Sequence, residues 1–206
     1  LKGSFYDWNP ALNELRVSSL GINSNFSREV LRLIDKFRIS AIHTYPSILR
    51  ILAEYVIKNG IDTSIVGCIL AISEPFSQRD SGIVSVAFPN AKFAIQYGMT
   101  EKVAMGRSSD GSTYEISSTY GLVEILDESN SPVLEGEVGR VVCTGLYNYS
   151  YPMLRYDVGD KARLIARDSD GFASVISEIA PRRQVINFVG KNGVLINSTA
   201  LNIHWR

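Results

Sequence analysis

The chain is 206 residues long, with 45% hydrophobic and 20% charged residues, proportions of a folded domain and not of a disordered one. Its 21 basic side chains balance 21 acidic ones, so no excess charge draws it to nucleic acid or to an anionic membrane surface. Cys68 and Cys143 are too few for a disulfide framework or a zinc site, and no apolar run reaches the ~18 residues of a membrane span.

A reduced, cytoplasmic setting is the expectation that follows. The chain opens on Leu1-Lys2-Gly3 without a signal region and stops at His204-Trp205-Arg206 straight after an apolar stretch, so it reads as a piece of a longer protein.

Taken in order, Leu15 to Leu20 has the pattern of a short strand. Ser27 is the expected N-cap of a helix that carries Val30, Leu31, Leu33, Ile34 and Phe37 at three- and four-residue spacing. Arg28, Arg32, Lys36 and Arg38 give that helix a solvated basic face. Ile39 to His43 is a short apolar run suited to a buried strand. Pro46 opens a second helix with Ile48, Leu49, Leu52, Ala53, Val56 and Ile57 on one face and Gly60 past its end. Ile65 to Ile72 reads as a strand, Ser77 to Ala87 as a weaker helix, and Ala91 to Gln96 as another strand. Strands alternating with helices of this length predict a parallel sheet with crossover helices.

Beyond residue 110 the texture changes. Tyr114 to Ser117, Leu122 to Leu126, Val138 to Thr144, Ala162 to Ala166 and Ala173 to Ile176 are short β-rich runs separated by turn clusters, which predicts an antiparallel half. Asp80, Asp110, Asp127, Asp168 and Asp170 fall in the turn-like segments. Val185 to Val189 and Gly193 to Ile196 read as a hairpin around Lys191-Asn192-Gly193. The two cysteines lie in apolar strands and read as packing residues.

Open α/β sheets bind ligands at the carboxyl ends of their strands, so the loops after Ile72 and Gln96 carry the most weight. Tyr97-Gly98-Met99-Thr100-Glu101 gathers an aromatic face, a glycine, a hydroxyl and a carboxylate within one turn. Such a set can stack a base, bond a phosphate and hold a divalent cation, or it can be a polar surface turn. Farther on, Asp160 follows Gly159 at what reads as an exposed turn. Its carboxylate is able to take two hydrogen bonds from a ribose diol, or to cap its own backbone. His43, at the end of an apolar strand, is equally a rim histidine and a substrate contact.

Four strings in this order resemble the adenylate-forming superfamily of acyl- and aryl-CoA ligases, on the phenylacetate-CoA ligase branch that includes capsular polysaccharide biosynthesis relatives. They are Ile42-His43-Thr44-Tyr45-Pro46-Ser47, Ile72-Ser73-Glu74-Pro75, Tyr97-Gly98-Met99-Thr100-Glu101, and Thr144-Gly145-Leu146 through Arg155-Tyr156-Asp157-Val158-Gly159-Asp160. The resemblance covers roughly residues 15 to 190 and implies an ATP-dependent ligase that converts a carboxylic acid to an adenylate and passes it to coenzyme A. Transfer to a carrier protein, an amine or a sugar acceptor, or a degenerate nucleotide-binding module without catalysis, are the alternatives.

It further implies roles. Tyr97 stacks on adenine opposite Ser73, Glu74 and Pro75. Thr100 bonds the AMP phosphate, Glu101 helps hold Mg²⁺, and Asp160 grips the ribose. His43, Tyr45 and Gly98 lie near the acyl or aryl pocket, and Arg183, with Arg182 as the alternative, stands for the arginine ahead of the hinge. The implied fold is a parallel-type α/β lobe over 1–110 with the adenine loops, a β-rich, barrel-like lobe over 111–180, and the approach to a C-terminal domain over 181–206. The phosphate loop and the catalytic lysine of that superfamily have no counterpart in these 206 residues, so the expected fragment does not turn over alone. A homodimer through exposed apolar surface is a further expectation.

Overall fold

The structure is a computed structural model that describes residues 5–19, 25–74, 76–180, 187–189 and 195–197. A hairpin of β1 (Tyr6–Asn9) and β2 (Glu14–Val17) comes first, pairing Tyr6 with Val17. The strand expected from Leu15 thus begins one residue earlier and ends sooner, because its hydrogen bonds are set by β1. The hairpin docks on the next helix through Trp8, stacked on Phe37 with ring centroids 6.0 Å apart.

Helix α1 (Phe26–Lys36) buries Phe26, Ser27, Val30, Leu31, Leu33 and Ile34. Ser27 is not its N-cap. Phe26 packs edge-on against Phe5 at 6.0 Å, and burying that ring draws the helix start back to Asn25 and puts Ser27 inside the first turn. Arg28, Arg32 and Arg38 are exposed, as their spacing predicts, and pair locally with Asn25, Glu29 and Asp35.

The parallel unit follows: β3 (Ala41–Thr44), α2 (Pro46–Asn59), β4 (Cys68–Ile72), α3 (Gln78–Ala87) and β5 (Lys92–Gly98). Pro46 occupies the first turn of α2, where a missing N–H costs no hydrogen bond, and Gly60 closes it in the left-handed conformation at φ 60°. Ile57, expected on the buried face, is 46% exposed, one position round the helix from the buried Val56. Ser77 and Asp80 form a reciprocal capping box on α3. Ala41, Cys68 and Lys92 stand side by side as the first residues of the three parallel strands. Cys68 is therefore exposed at the sheet's amino rim and not packed inside as its apolar neighbours suggest.

The remaining strands are β6 (Met105–Ser108), β7 (Thr113–Ile116), β8 (Gly121–Leu126), β9 (Val138–Gly145), β10 (Tyr156–Arg167) and β11 (Ala173–Ala180). All nine large-sheet strands form one mixed sheet in the order β3-β4-β5-β6-β7-β11-β10-β9-β8. The antiparallel part joins the parallel part through β5 and β6, pairing Tyr97 with Gly106. Three inter-strand steps of a flat sheet span about 14 Å. Yet Cα atoms of β8 come within 8 Å of β11, so the antiparallel half curls into a barrel-like wall. β12 (Asn187–Val189) and β13 (Leu195–Asn197) pair antiparallel, as the hairpin pattern predicts, and the turn between them lies outside the described residues. Among the described residues no helix is long and apolar enough to cross a membrane.

Strand β10 is bulged. Asp157 faces Val142 of β9 and Lys161 faces Arg140, so four steps along β10 match two along β9. The two extra residues fall around Gly159, whose φ of 80° a residue with a side chain rarely adopts.

Two glycines allow the close approach of a neighbouring loop. Gly121 and Gly145 are paired across β8 and β9. A Cβ on Gly121 would stand 2.0 Å from the Val103 carbonyl oxygen, and one on Gly145 would stand 3.2 Å from that of Lys102. Gly121→Ala is expected to destabilise the fold by about 1–3 kcal/mol through overpacking. Gly82→Ala, in the open interior of α3, is expected to stabilise it by about 0.5–1 kcal/mol. Urea denaturation of both variants measures the contrast, and equal effects would contradict the packing described.

Candidate functional site

The loops at the carboxyl ends of β3, β4 and β5 emerge on one side of the sheet. After β4, Ser73 is exposed with φ 67°, a strained value for a residue bearing a Cβ. Glu74 turns back to helix α2, where its carboxylate accepts the Ser47 N–H at 2.9 Å and the Ser47 hydroxyl at 3.1 Å. A carboxylate there meets the positive end of the helix dipole and binds the β4 loop to the β3–α2 junction. Glu74 thus has an anchoring task that the sequence did not foretell. Pro75 and Arg183 lie outside the described residues.

After β5, Tyr97 is half-buried and packs edge-on against Tyr114, with centroids 6.2 Å apart. Gly98 and Thr100 are exposed and Glu101 is half-buried. A Cβ on Gly98 would meet only ordinary contacts, the nearest being the Ala104 carbonyl oxygen at 3.5 Å, so the fold itself does not demand glycine there. The Lys102 N–H closes the turn on the Met99 carbonyl at 3.0 Å, with Lys102 at φ 56°. Directly beyond, Lys102 and Val103 rest on the Gly121–Gly145 pair, which fixes the height of the Thr100–Glu101 turn above the sheet.

The bulge brings β10 to the same place. Asp160 lies in this strand and not at an exposed turn as expected; its side chain is half-buried, and its Oδ2 accepts the Tyr97 hydroxyl at 2.9 Å. The alternative role of capping local backbone belongs to Asp157, which accepts the Gly159 N–H at 2.8 Å and an Arg140 guanidinium N–H. Tyr156, at the start of β10, donates to Glu101 Oε1 at 3.4 Å. Ahead of it, the Arg155 guanidinium grips Glu124 through Nε at 3.1 Å and Nη2 at 3.2 Å. Two hydrogen bonds thus tie the β5 turn to β10, Tyr97 to Asp160 and Tyr156 to Glu101, with Thr100 on the same turn.

His43 and Tyr45 line a separate cavity of about 220 Å³ with Phe26, Val30, Ile42 and Ile48. None of Tyr97, Gly98, Thr100, Glu101 or Asp160 lines it, so Gly98 is not grouped with His43 and Tyr45 in that cavity.

Burial shapes the electrostatics. Burial first, and then the Asp160 charge, push the Tyr97 phenol well above the usual tyrosine range, so it remains a hydrogen-bond donor. Cys143, buried on β9 opposite Tyr156, has its thiol pushed up to about 12 by burial and then by Asp160, Glu124 and Asp157. Among the described residues no three His, Cys, Asp or Glu side chains gather as a metal cage. Glu101 beside Thr100 offers one carboxylate and one hydroxyl. That donor set suits a magnesium ion shared with a nucleotide's phosphates better than one held by protein alone.

Sequence reasoning did not single out Ser47, Tyr114, Gly121 or Tyr156. Only Tyr156 carried a usable signal. Tyr156, Val158 and Asp160 alternate along one strand and so share a face.

No family model matches the chain. It is 23% identical over 164 residues to Protein CapK of Staphylococcus aureus, a match covering 79% of this chain and 35% of that protein. It is 28% identical over 160 residues to the phenylacetate-coenzyme A ligase of Thermus thermophilus, covering 71% of this chain and 34% of the relative. The chain thus spans about a third of the length of the curated relatives it matches. Among solved structures, 2-hydroxyisobutyryl-CoA ligase in complex with 2-HIB-AMP and CoA superposes with a TM-score of 0.63, at 19% identity over 89% of this chain and 40% of that one. Mycobacterium smegmatis MbtA superposes with a TM-score of 0.59, at 16% identity over 85% of this chain and 34% of that one. These superpositions establish a shared fold.

The two thiols provide a direct check on this environment. Cys68 is expected to react with an alkylating reagent at neutral pH while Cys143 reacts only on unfolding, as counted by mass spectrometry. A thiol whose ionisation is raised by folding contributes stability fully below the free-thiol value near ~8.5. That contribution is lost as pH rises toward about 12. Urea stability is therefore expected to fall over this window in the wild type and to fall less in Cys143→Ala.

Proposed function

We propose that this chain belongs with the adenylate-forming superfamily, on the branch of CapK and the phenylacetate-CoA ligases, and carries the adenosine-binding part of an enzyme that activates a carboxylic acid with MgATP and passes it to coenzyme A. One observation carries the proposal: Tyr97 and Asp160, 63 residues apart, are joined by a 2.9 Å hydrogen bond beside the turn bearing Thr100 and Glu101. An aromatic face, a carboxylate, a hydroxyl and a second carboxylate are what an adenosine phosphate needs from base to phosphate.

The chemistry follows from those groups. The substrate carboxylate attacks the α-phosphorus of ATP, its oxygen forms the new P–O bond, and pyrophosphate leaves. Charge grows on the non-bridging oxygens, and the exposed Thr100 hydroxyl donates to one of them. Glu101 would be the protein carboxylate holding a magnesium ion, which would supply neutralisation of that charge. Asp160 accepts hydrogen bonds from the ribose diol and holds the sugar in register. Tyr97 offers its ring to the base, with Ser73, Glu74 and Pro75 supplying the opposite wall. In the second half-reaction the thiol sulfur of coenzyme A attacks the acyl carbonyl and AMP leaves with the bonding pair. The cavity lined by His43 and Tyr45 is apolar enough to take the hydrocarbon end of an acid. Arg183 is assigned to the approach to the hinge.

The test is calorimetric titration with AMP together with acid-dependent pyrophosphate exchange into ATP, both on the full-length protein. Asp160→Ala is expected to weaken AMP binding about tenfold or more. Thr100→Ala is expected to slow exchange about a hundredfold while AMP still binds. AMP affinity unchanged by Asp160→Ala would overturn the assignment of this site.

A further inference from the structure

The two strings that form the site are braced to each other crosswise. Tyr97 belongs to the β5 turn, and its hydroxyl holds Asp160 of β10 at 2.9 Å. Tyr156 belongs to β10, and its hydroxyl holds Glu101 of the β5 turn at 3.4 Å. Each string thus supplies a phenol to the carboxylate of the other. We propose that Tyr97 and Tyr156 are positioning residues, Tyr97 fixing Asp160 for the nucleotide ribose and Tyr156 fixing Glu101 for the metal.

The inference rests on the adenosine reading of the site and adds a task for each phenol beyond it. A carboxylate has about four acceptor positions. The bond from Tyr97 takes one of them and fixes the plane of the carboxylate that the two ribose hydroxyls approach. The bond can persist because each phenol is fixed by packing. The Tyr97 ring leans on Tyr114 at 6.2 Å, and Tyr156 opens β10 opposite the buried Cys143. Burial and the adjacent carboxylate keep Tyr97 protonated, so the donor is retained over the whole physiological range. The bulge around Gly159 places Asp160 for this bond, and the glycine-seated turn sets the height of Glu101. The bond to Asp160 is the shorter, so removing it is expected to have the larger effect.

The experiment compares binding of AMP with that of 2′,3′-dideoxy-AMP to the full-length protein. In the wild type the ratio of the two affinities measures recognition of the ribose hydroxyls. Tyr97→Phe keeps the ring and loses one oxygen. It is expected to lower that ratio about tenfold, the loss falling on AMP more than on dideoxy-AMP. Tyr97→Met is the second variant: it removes the ring as well, so both nucleotides are expected to bind more weakly while the ratio falls as in Tyr97→Phe, with melting temperature as the control for folding. Tyr156→Phe is expected to leave the ratio in place and to weaken Mn²⁺ binding in the presence of AMP about threefold, read by electron paramagnetic resonance. Nucleotides that bind with an unchanged ratio in both Tyr97 variants overturn the proposal and leave the adenosine site standing. A wild type that binds neither nucleotide overturns the adenosine reading and the proposal with it. Mn²⁺ affinity unaltered by Tyr156→Phe overturns the second brace alone.

Discussion

Pairing of β5 with β6 is the joint on which the architecture turns. From β3 to β5 the chain lays down parallel strands through helical crossovers, and from β6 to β11 it doubles back in antiparallel strands. Because Tyr97 and Gly106 pair in the same ladder, the two halves are one hydrogen-bonded body rather than two units joined by a tether. The curl of the antiparallel wall then carries β10 over the carboxyl end of β5. A bulge in a strand so held can deliver a carboxylate to a fixed place. The same bulge at the end of a loose segment could not.

Among the described residues, three of the seven non-glycine residues at positive φ stand around that place, while Asn13, Arg38, Asn130 and Glu178 lie elsewhere. Ser73, Lys102 and Arg155 each adopt positive φ at the three approaches to the site. Each is held by surrounding structure: Ser73 next to the Glu74–Ser47 anchor, Lys102 by its seat on Gly121 and Gly145, and Arg155 by Glu124 and the Thr144 hydroxyl. Backbone in sparsely populated conformations persists only where its neighbours over-determine it, and such places gather at binding sites.

Helix α2 was legible because both its ends are written in local chemistry, Pro46 at one and Gly60 at the other. The start of helix α1 was misread by two residues because it is decided by where the Phe26 ring finds cover, a tertiary fact. Strands β1 and β6 both escaped notice, for different reasons. Tyr6 and Trp8 do alternate with Asp7 and Asn9, a strand signal only four residues long, whereas Gly106 and Arg107 break any alternation in β6 and its pairing with β5 makes it a strand. The first half of β10 was read as a turn since Asp157, Gly159 and Asp160 are turn formers, and a bulge draws on the same residues. As for the site, motif order pointed to Tyr97, Thr100, Glu101 and Asp160, but not to the contacts between them. Glu74 read as part of a ligand wall, and its bond to Ser47 could be seen only once two loops were set side by side.

The excess in β10 being two residues and not one, the strand leaves its bulge in the same phase in which it enters. Val158 before it and Ala162 and Leu164 after it are all buried, while Asp157 and Lys161 are exposed on either side. The core face of β10 fixes the ladder on either side of the bulge, and the excess residues between Asp157 and Lys161 are the part of the strand whose length that face does not set. The segment that presents Asp160 can thus change its reach independently of the wall that supports it.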